Sequence, residues 1–276
     1  MSRREEEIVE KAAQQVAERR QRRQGEFFLQ GTLVWWLLVL AAFFLIPWPF
    51  SDRVWVAVHG LCAQRAGHML LFGGQVLPLC ARDSGIYLGV LLGAVYLLAR
   101  GRWRAAGRPV RAFWWVLAAA LVIFGADVLN SIAADWFGWQ VYTPQNWLRL
   151  VSGLLLGLVT AVLLLWVIHL AMAGRQVERR ILPHWADLLG LLATAGLGGA
   201  ALWSGWPALF LPLTVLSVGG MVLLLWAGNA LFLLTRTRGR ELLASPWEAT
   251  PFLFWGGIAT VVEMAVLAWL RYQVGG

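Results

Sequence analysis

LCAQRAGHMLLFGGQVLPLCARDSGIYLGVLLG, residues 61–93, sets both cysteines of the chain and a dense run of polar side chains directly against a glycine-spaced apolar segment. The second half reads as the opening of a membrane helix. The first half belongs to a longer stretch, Ser51 to Ser84, in which Val54, Val56, Val58 and Leu61, then Met69, Leu70, Leu71 and Phe72, are interrupted by His59, Gln64, Arg65 and His68. That stretch is too apolar for an aqueous loop. Counting it as a span would move the five arginines between Arg100 and Arg111 to the other side of the membrane, against the charge pattern described below. It is therefore expected to be an interfacial or partly re-entrant hairpin tucked among helix ends, packed in a polar vestibule because non-helical backbone at that depth needs protein or water around it.

Outward from this stretch the chain is strongly apolar. Of its 276 residues 59% are hydrophobic and 14% charged, with a mean hydropathy of +0.65, which places it among integral membrane proteins. A net charge of +8 raises the question of nucleic acid. The bases, however, are clustered between apolar blocks and do not line a groove or a recognition helix, so nucleic acid is excluded as a partner and the lipid bilayer takes its place. Eighteen tryptophans fit the same reading, because indole rings favour the headgroup zone.

Seven apolar blocks are each long enough to cross a hydrocarbon core of about 30 Å or nearly so. They run from Thr32 to Phe50, Gly85 to Ala99, Ala112 to Asn130, Trp147 to Ala173, Trp185 to Trp203, Pro207 to Thr235 and Pro251 to Leu270, the second being short and starting somewhat earlier. With the N-terminus in the cytoplasm, all of the 23 basic residues except Arg53, Arg65, Arg82, Arg149 and Arg271 fall on the inner side. This is the positive-inside pattern. The expected fold is an all-α integral membrane protein of the cell (inner) membrane, with seven transmembrane helices, a cytoplasmic N-terminus, an outer C-terminus and the re-entrant or interfacial segment outside between helices one and two.

Three regions follow from this pattern. Residues 1–31 read as a cytoplasmic amphipathic basic helix or tail, with Ile8, Ala12 and Val16 on one face and acids preceding bases. No cleaved leader is expected, and the first span serves as its own insertion signal. Residues 32–173 form a four-helix membrane unit carrying the outer polar motif, and residues 174–276 a three-helix unit. No internal repeat is evident.

Gly85, Gly89 and Gly93 on the second span and Gly153 and Gly157 on the fourth share a four-residue spacing that allows close backbone approach in lipid. If the two stripes face each other, Arg82, Asp83 and Tyr87 converge with Asn146 and Arg149, at the depth where the third span ends with Asp127 and Asn130. A charge in the apolar zone costs about 3 kcal/mol, so Asp127 is expected to pair with Arg149 or Arg82. The ligand-binding candidates are Gln64, Arg82, Asp83, Tyr87, Asp127, Asn130, Asn146 and Arg149. Two arginines beside amide donors suit a phosphate or carboxylate.

The pattern of Cys62 and Gln64, then Gly74-Gln75-Val76-Leu77-Pro78-Leu79-Cys80-Ala81-Arg82, then Gly85-Ile86-Tyr87-Leu88-Gly89 resembles the signature of an uncharacterised prokaryotic membrane-protein family, the domain of unknown function 2085. Asp127, Asn146, Arg149, Gly153 and Gly157 are similar to its second motif, and the resemblance covers roughly residues 55 to 165. The family usually has Cys-His-Gln and Cys-x-Arg-Cys; this chain has Ala63 in place of the histidine and Asp83 in place of the last cysteine. The resemblance implies a multi-pass membrane protein and carries no activity with it.

Cys62 and Cys80 permit three readings: a disulfide on the oxidising side, metal ligands together with Asp83 and His68 or His59, or buried free thiols. No metal site is assigned on sequence alone, and the cofactor stays open. Glu263 and Asn229, within the seventh and sixth spans, mark either an ion path or a helix contact, and their depths do not match if those helices are simple antiparallel neighbours. No phosphate loop, serine-hydrolase elbow or zinc-protease motif is present. Three functional classes remain: an outer-face site for a small anion, lipid headgroup or metal; an accessory subunit docking other membrane subunits through aromatic helix faces and the N-terminal helix; and a small-solute or ion transporter.

Overall fold

Among the described residues of this computed structural model, seven helices are long and apolar enough to span a bilayer, matching the number of apolar blocks. The structure describes residues 3–103, 105–172, 177–238, 243 and 245–274. Arg104, Arg175 and Arg240, counted above among the basic loops, and Ala173, the expected end of the fourth span, lie outside the described residues.

Helix α1 (Arg3–Leu45) carries the basic N-terminal stretch and the first span as one unbroken rod, about 65 Å long at 1.5 Å per residue. Nothing interrupts it at residue 31. Its first turn holds Glu5 and Glu6, as the helix dipole favours. The short α2 (Phe50–Val58) follows, then an antiparallel β-hairpin of β1 (Met69–Phe72) and β2 (Gln75–Cys80). The remaining spans are α3 (Ala81–Ala99), α4 (Arg111–Phe137), α5 (Asn146–Ala171), α6 (Trp185–Trp203), α7 (Phe210–Arg238) and α8 (Thr250–Gln273). Between α3 and α4 lies β3 (Ala105–Gly107), and between α5 and α6 lies β4 (Val177–Arg180). These two strands pair in parallel and tie two loops together at the end of the bundle opposite the hairpin.

The fold is mainly helical, as expected, with two small two-stranded sheets added. The segment read as re-entrant or interfacial is a short helix followed by a β-hairpin. Phe72 and Gln75 pair across Gly73 and Gly74, whose φ values of 57° and 90° are the left-handed geometry of a two-residue hairpin turn. Phe72, Leu77 and Leu79 are buried while Leu71 and Val76 face outward. Helix α3 begins at Ala81, earlier than Gly85, because Cys80 caps it: its sulfur accepts from Asp83 N at 3.5 Å. Helix α4 continues past Asn130 to Phe137, where Gly138 at φ 65° ends it.

Helices α3 and α5 form the tightest pair. They run parallel, with Gly85 against Leu150 and Gly153, Gly89 against Gly157, and Gly93 against Ala161, so the two glycine stripes do face each other. A β-carbon at Gly153 or Gly157 would overlap the backbone carbonyl of Arg82 or Ile86. Helices α6 and α7 also pack on α3, through Leu88 and Leu92 against Gly198 and through the Tyr87 carbonyl against Gly220. Helix α8 packs on α7, and α1 lies outermost against α8.

Glu263 and Asn229 meet, contrary to the expected mismatch in depth. Asn229 Nδ2 donates to Glu263 Oε2 at 2.8 Å and to Thr260 Oγ1 at 3.1 Å. Helical side chains lean toward the N-terminus of their own helix, so on antiparallel neighbours these two lean toward each other and close the gap.

Replacing Gly157 with Leu should therefore lower stability in detergent by about 1–3 kcal/mol or more, read as a fall in melting temperature. Gly125→Leu is the control, because a β-carbon there meets nothing within 4 Å. Equal tolerance of both changes would contradict the α3–α5 packing.

Candidate functional site

The hairpin end of the bundle gathers the polar residues, and most of them satisfy backbone. Two strands and the turn from Val58 to Ala66 expose N–H and C=O groups that a helix would pair internally. Gln64, at φ 50°, donates through Nε2 to Trp55 O (3.0 Å) and Pro78 O (3.2 Å), while its Oε1 shares a 2.8 Å hydrogen bond with His59 Nδ1. Asn146 Nδ2 donates to Gly67 O at 3.1 Å and Met69 O at 3.4 Å, clipping the hairpin to the start of α5. Asn130 closes the α4–α5 loop: Val141 N donates to its Oδ1 at 2.8 Å and its Nδ2 donates to Tyr142 O at 2.8 Å. Arg271, at the end of α8, donates to the carbonyls of His59, Cys62 and Ala63. Gln64, Asn130 and Asn146, predicted as ligand-binding, thus all hydrogen-bond to backbone, and Arg271 is a clamp that sequence reasoning passed over.

Arg82 on α3 and Asp127 on α4 form the buried pair. Arg82 donates to Asp127 Oδ2 through Nη2 at 2.6 Å and Nε at 3.0 Å, and through Nη2 to Ser131 Oγ at 3.0 Å. Asp127 is 1% exposed and also accepts from Tyr142 Oη at 3.2 Å and Ser152 Oγ at 3.4 Å. Burial and the neighbouring carboxylate push the Tyr142 phenol up, so it remains a donor. Of the two partners expected for Asp127, the structure selects Arg82. Ser131, Tyr142 and Ser152 were missed, although Asp127, Asn130 and Ser131 lie at i, i+3 and i+4 on one helical face. Nearby, Arg65 pairs with Asp135.

Arg149 is left over. It is 3% exposed, its Nη1 donates to Asn146 Oδ1 at 3.0 Å, and its Nε has no partner. No carboxylate pairs with it among the described residues, because Asp127 and Asp135 are taken by Arg82 and Arg65. His68 sits in the same field. Burial, followed by the Arg149 charge, lowers its pKa below 6.5, with Arg65 and Arg82 acting in the same sense and Asp135 opposing them.

Cys62 and Cys80 stand as free thiols, the first buried and the second partly so. Cys80 N donates to Cys62 Sγ at 3.2 Å. The hydrogen bond with Cys62, and then burial, push the Cys80 thiol well above the ordinary range. The Asp83 carboxylate joins them, with the two sulfurs and a carboxylate oxygen all within 4.8 Å of one another. Tyr87 follows one turn later and packs with Cys80 and Met221 around Cys62. Neither histidine completes the group: His68 lies beside Arg149, and His59 stacks on Tyr272 at 4.3 Å.

The opposite end of the bundle holds a second buried carboxylate that sequence reasoning also missed. Asp187, 4% exposed, receives Arg100 at 3.0 Å and Arg102 at 3.7 Å. Between α5 and α6 an apolar cleft of about 330 Å³ runs past Trp147, Leu154 and Trp203; it offers space to a hydrocarbon chain and no polar chemistry.

Residues 62–163 match the family of the domain of unknown function 2085, described as a predicted membrane protein. The match covers the hairpin, α3, α4 and most of α5, and it agrees with the resemblance carried by Cys62, Cys80 to Arg82 and Asp127 to Gly157. No curated protein and no solved structure matches the chain.

Removing either partner of the Arg82–Asp127 pair should destabilise the protein by about 3–5 kcal/mol, since each truncation strands a buried charge. Arg82→Met with Asp127→Leu together should cost markedly less than the sum of the single changes. Additive losses in detergent unfolding would show that the two side chains act separately.

Proposed function

We propose that the chain is a multi-pass protein of the cell (inner) membrane whose hairpin end faces away from the cytosol and binds an anionic group through Arg149. The orientation is supported by the described arginines Arg100, Arg102, Arg108, Arg179, Arg180, Arg236 and Arg238, which share the end opposite the hairpin, where positive charge favours the cytoplasm. The four-helix unit of residues 32–173 holds the site, and the three-helix unit of residues 174–276 braces it. The observation that carries the reading is a buried guanidinium with no ion pair among the described residues: buried charges are normally paired, and here Asp127 and Asp135 already pair with Arg82 and Arg65. A planar guanidinium with an unused Nε–H is suited to a phosphate or carboxylate oxygen, whether from a lipid headgroup or a small solute.

Binding is favoured over transport by the far halves of α3, α4 and α5, which are mainly Leu, Val and Ala, and by the engagement of Glu263 with Asn229. The accessory-subunit reading draws on exposed aromatic faces such as Trp115, Trp136 and Phe137, and on the N-terminal part of α1, which protrudes beyond the point where Gly25 meets Trp247.

Titrating the purified full chain with inorganic phosphate, and with a short-chain phosphatidylglycerol in neutral detergent, tests the proposal and separates the two sources. At least one should bind, and Arg149→Gln should weaken it about 10-fold or more, the worth of a charged hydrogen bond. An anion beside Arg149 relieves the field that depresses His68, so the complex takes up a proton. Affinity for phosphatidylglycerol, whose phosphodiester charge is constant here, should accordingly rise as pH falls through the lowered His68 range and flatten in His68→Asn. Equal binding by wild type and Arg149→Gln, or no binding of either probe, would overturn it.

A further inference from the structure

We propose that Cys62, Cys80 and Asp83 form a binding site for a thiophilic d10 divalent cation, Zn²⁺ in the first instance, separate from the anion site at Arg149. The three ligand atoms come from three different local structures: the turn after α2, the end of β2 and the first turn of α3. They nevertheless stand within 4.8 Å of one another. Ligands about 2.0–2.3 Å from a shared tetrahedral ion lie roughly 3.3–3.8 Å apart, so the group needs to contract by only about 1 Å. That movement is within reach of side-chain rotation in Asp83 and Cys80, both of which are only partly buried.

The neighbouring sulfur and burial keep the Cys80 thiol protonated before an ion binds, so the cation must displace the thiol protons as it binds, and backbone donors then support the sulfur charge. Cys62 Sγ accepts from Cys80 N at 3.2 Å and Cys80 Sγ from Asp83 N at 3.5 Å. Such backbone N–H donors support thiolates at metal sites. Cys80 also caps a helix of 19 residues, whose N-terminal dipole favours negative charge at that point. Around Cys62 the walls are apolar and closed: Val54, Val58, Leu79 and Met221 are all buried. This strengthens ion–ligand attraction and excludes competing water on that side. Access remains from the Asp83 side.

Ligand chemistry selects the ion. Two thiolates exclude Mg²⁺ and Ca²⁺, which prefer oxygen, and the carboxylate suits Zn²⁺ better than it suits Cu⁺. With two thiolates and one carboxylate the fourth tetrahedral position stays open to water or an exogenous ligand, the arrangement of a working zinc site and not of a closed structural one.

The test uses the full chain, reduced and purified in detergent, with Co²⁺ alone as the probe. One equivalent should produce a thiolate-to-cobalt charge-transfer band that Zn²⁺ abolishes on addition. Cys62→Ser and Cys80→Ser should each remove the band, and Asp83→Asn should weaken Co²⁺ binding about 10-fold or more. Arg149→Gln should leave it unchanged, so failure of the anion reading would not affect the result. Absence of the band in wild type with both thiols titratable, or its survival in Cys80→Ser, would overturn the proposal. So would wild-type affinity in Asp83→Asn, a change that keeps both cysteines and the helix cap and stands as the readout even where a cysteine variant does not fold.

Discussion

Backbone that leaves a helix within an apolar environment must find hydrogen-bond partners other than water, and the hairpin end of this protein is arranged around that constraint. A short helix, a turn and two strands stand where an uninterrupted span would have needed nothing further. Their exposed groups are met by Gln64, Asn146, Cys62 and Arg271. Because these side chains come from the turn itself, from α5 and from α8, the same bonds fasten the hairpin to the bundle. Polar residues clustered at one end of a membrane protein invite a ligand-binding interpretation; here most of them complete the fold.

Once those residues are assigned, the remaining electrostatics are simple. The close approach of α3 and α5 through their glycines brings Arg82 and Arg149 to one level, and α4 supplies a single carboxylate, Asp127, at that depth. Asp127 receives Arg82, Tyr142 and Ser152, leaving Arg149 with an amide oxygen and an unused donor. On the other side of α3 the two thiols and Asp83 form a compact group. Two distinct sets of groups thus flank the N-terminus of α3, Arg149 of α5 on one side and the thiols with Asp83 on the other, which is why the anion and metal proposals can be tested independently.

Much of this was legible in the sequence, for identifiable reasons. Apolar blocks of sufficient length define spans whatever the tertiary packing, and α6 matches its block at both ends. Glycines every four residues on two blocks foretold the α3–α5 contact, and Asp127 had to pair because an isolated intramembrane carboxylate is expensive. The hairpin was less visible, since short apolar runs such as Met69–Phe72 suit helix, strand or interface alike. Gly73-Gly74 between apolar flanks was the available signal for a two-residue turn. The functions of Gln64 and Asn146 were hidden because they contact backbone whose path depends on that turn. Asn229 and Glu263 were misjudged through counting residues without allowing for the lean of helical side chains. Asp187 escaped notice because its arginine partners, Arg100 and Arg102, lie far away in sequence and were read only as topological charge.

The central claim is that Arg149, buried at the hairpin end, makes no ion pair with a carboxylate among the described residues. Unfolding of Arg149→Met in detergent free of phosphate and anionic lipid measures this most directly, because an apolar replacement of similar length removes a stranded charge without leaving a cavity. The account predicts stability equal to or above wild type. A loss of about 3–5 kcal/mol, the signature of a broken buried ion pair, would contradict it.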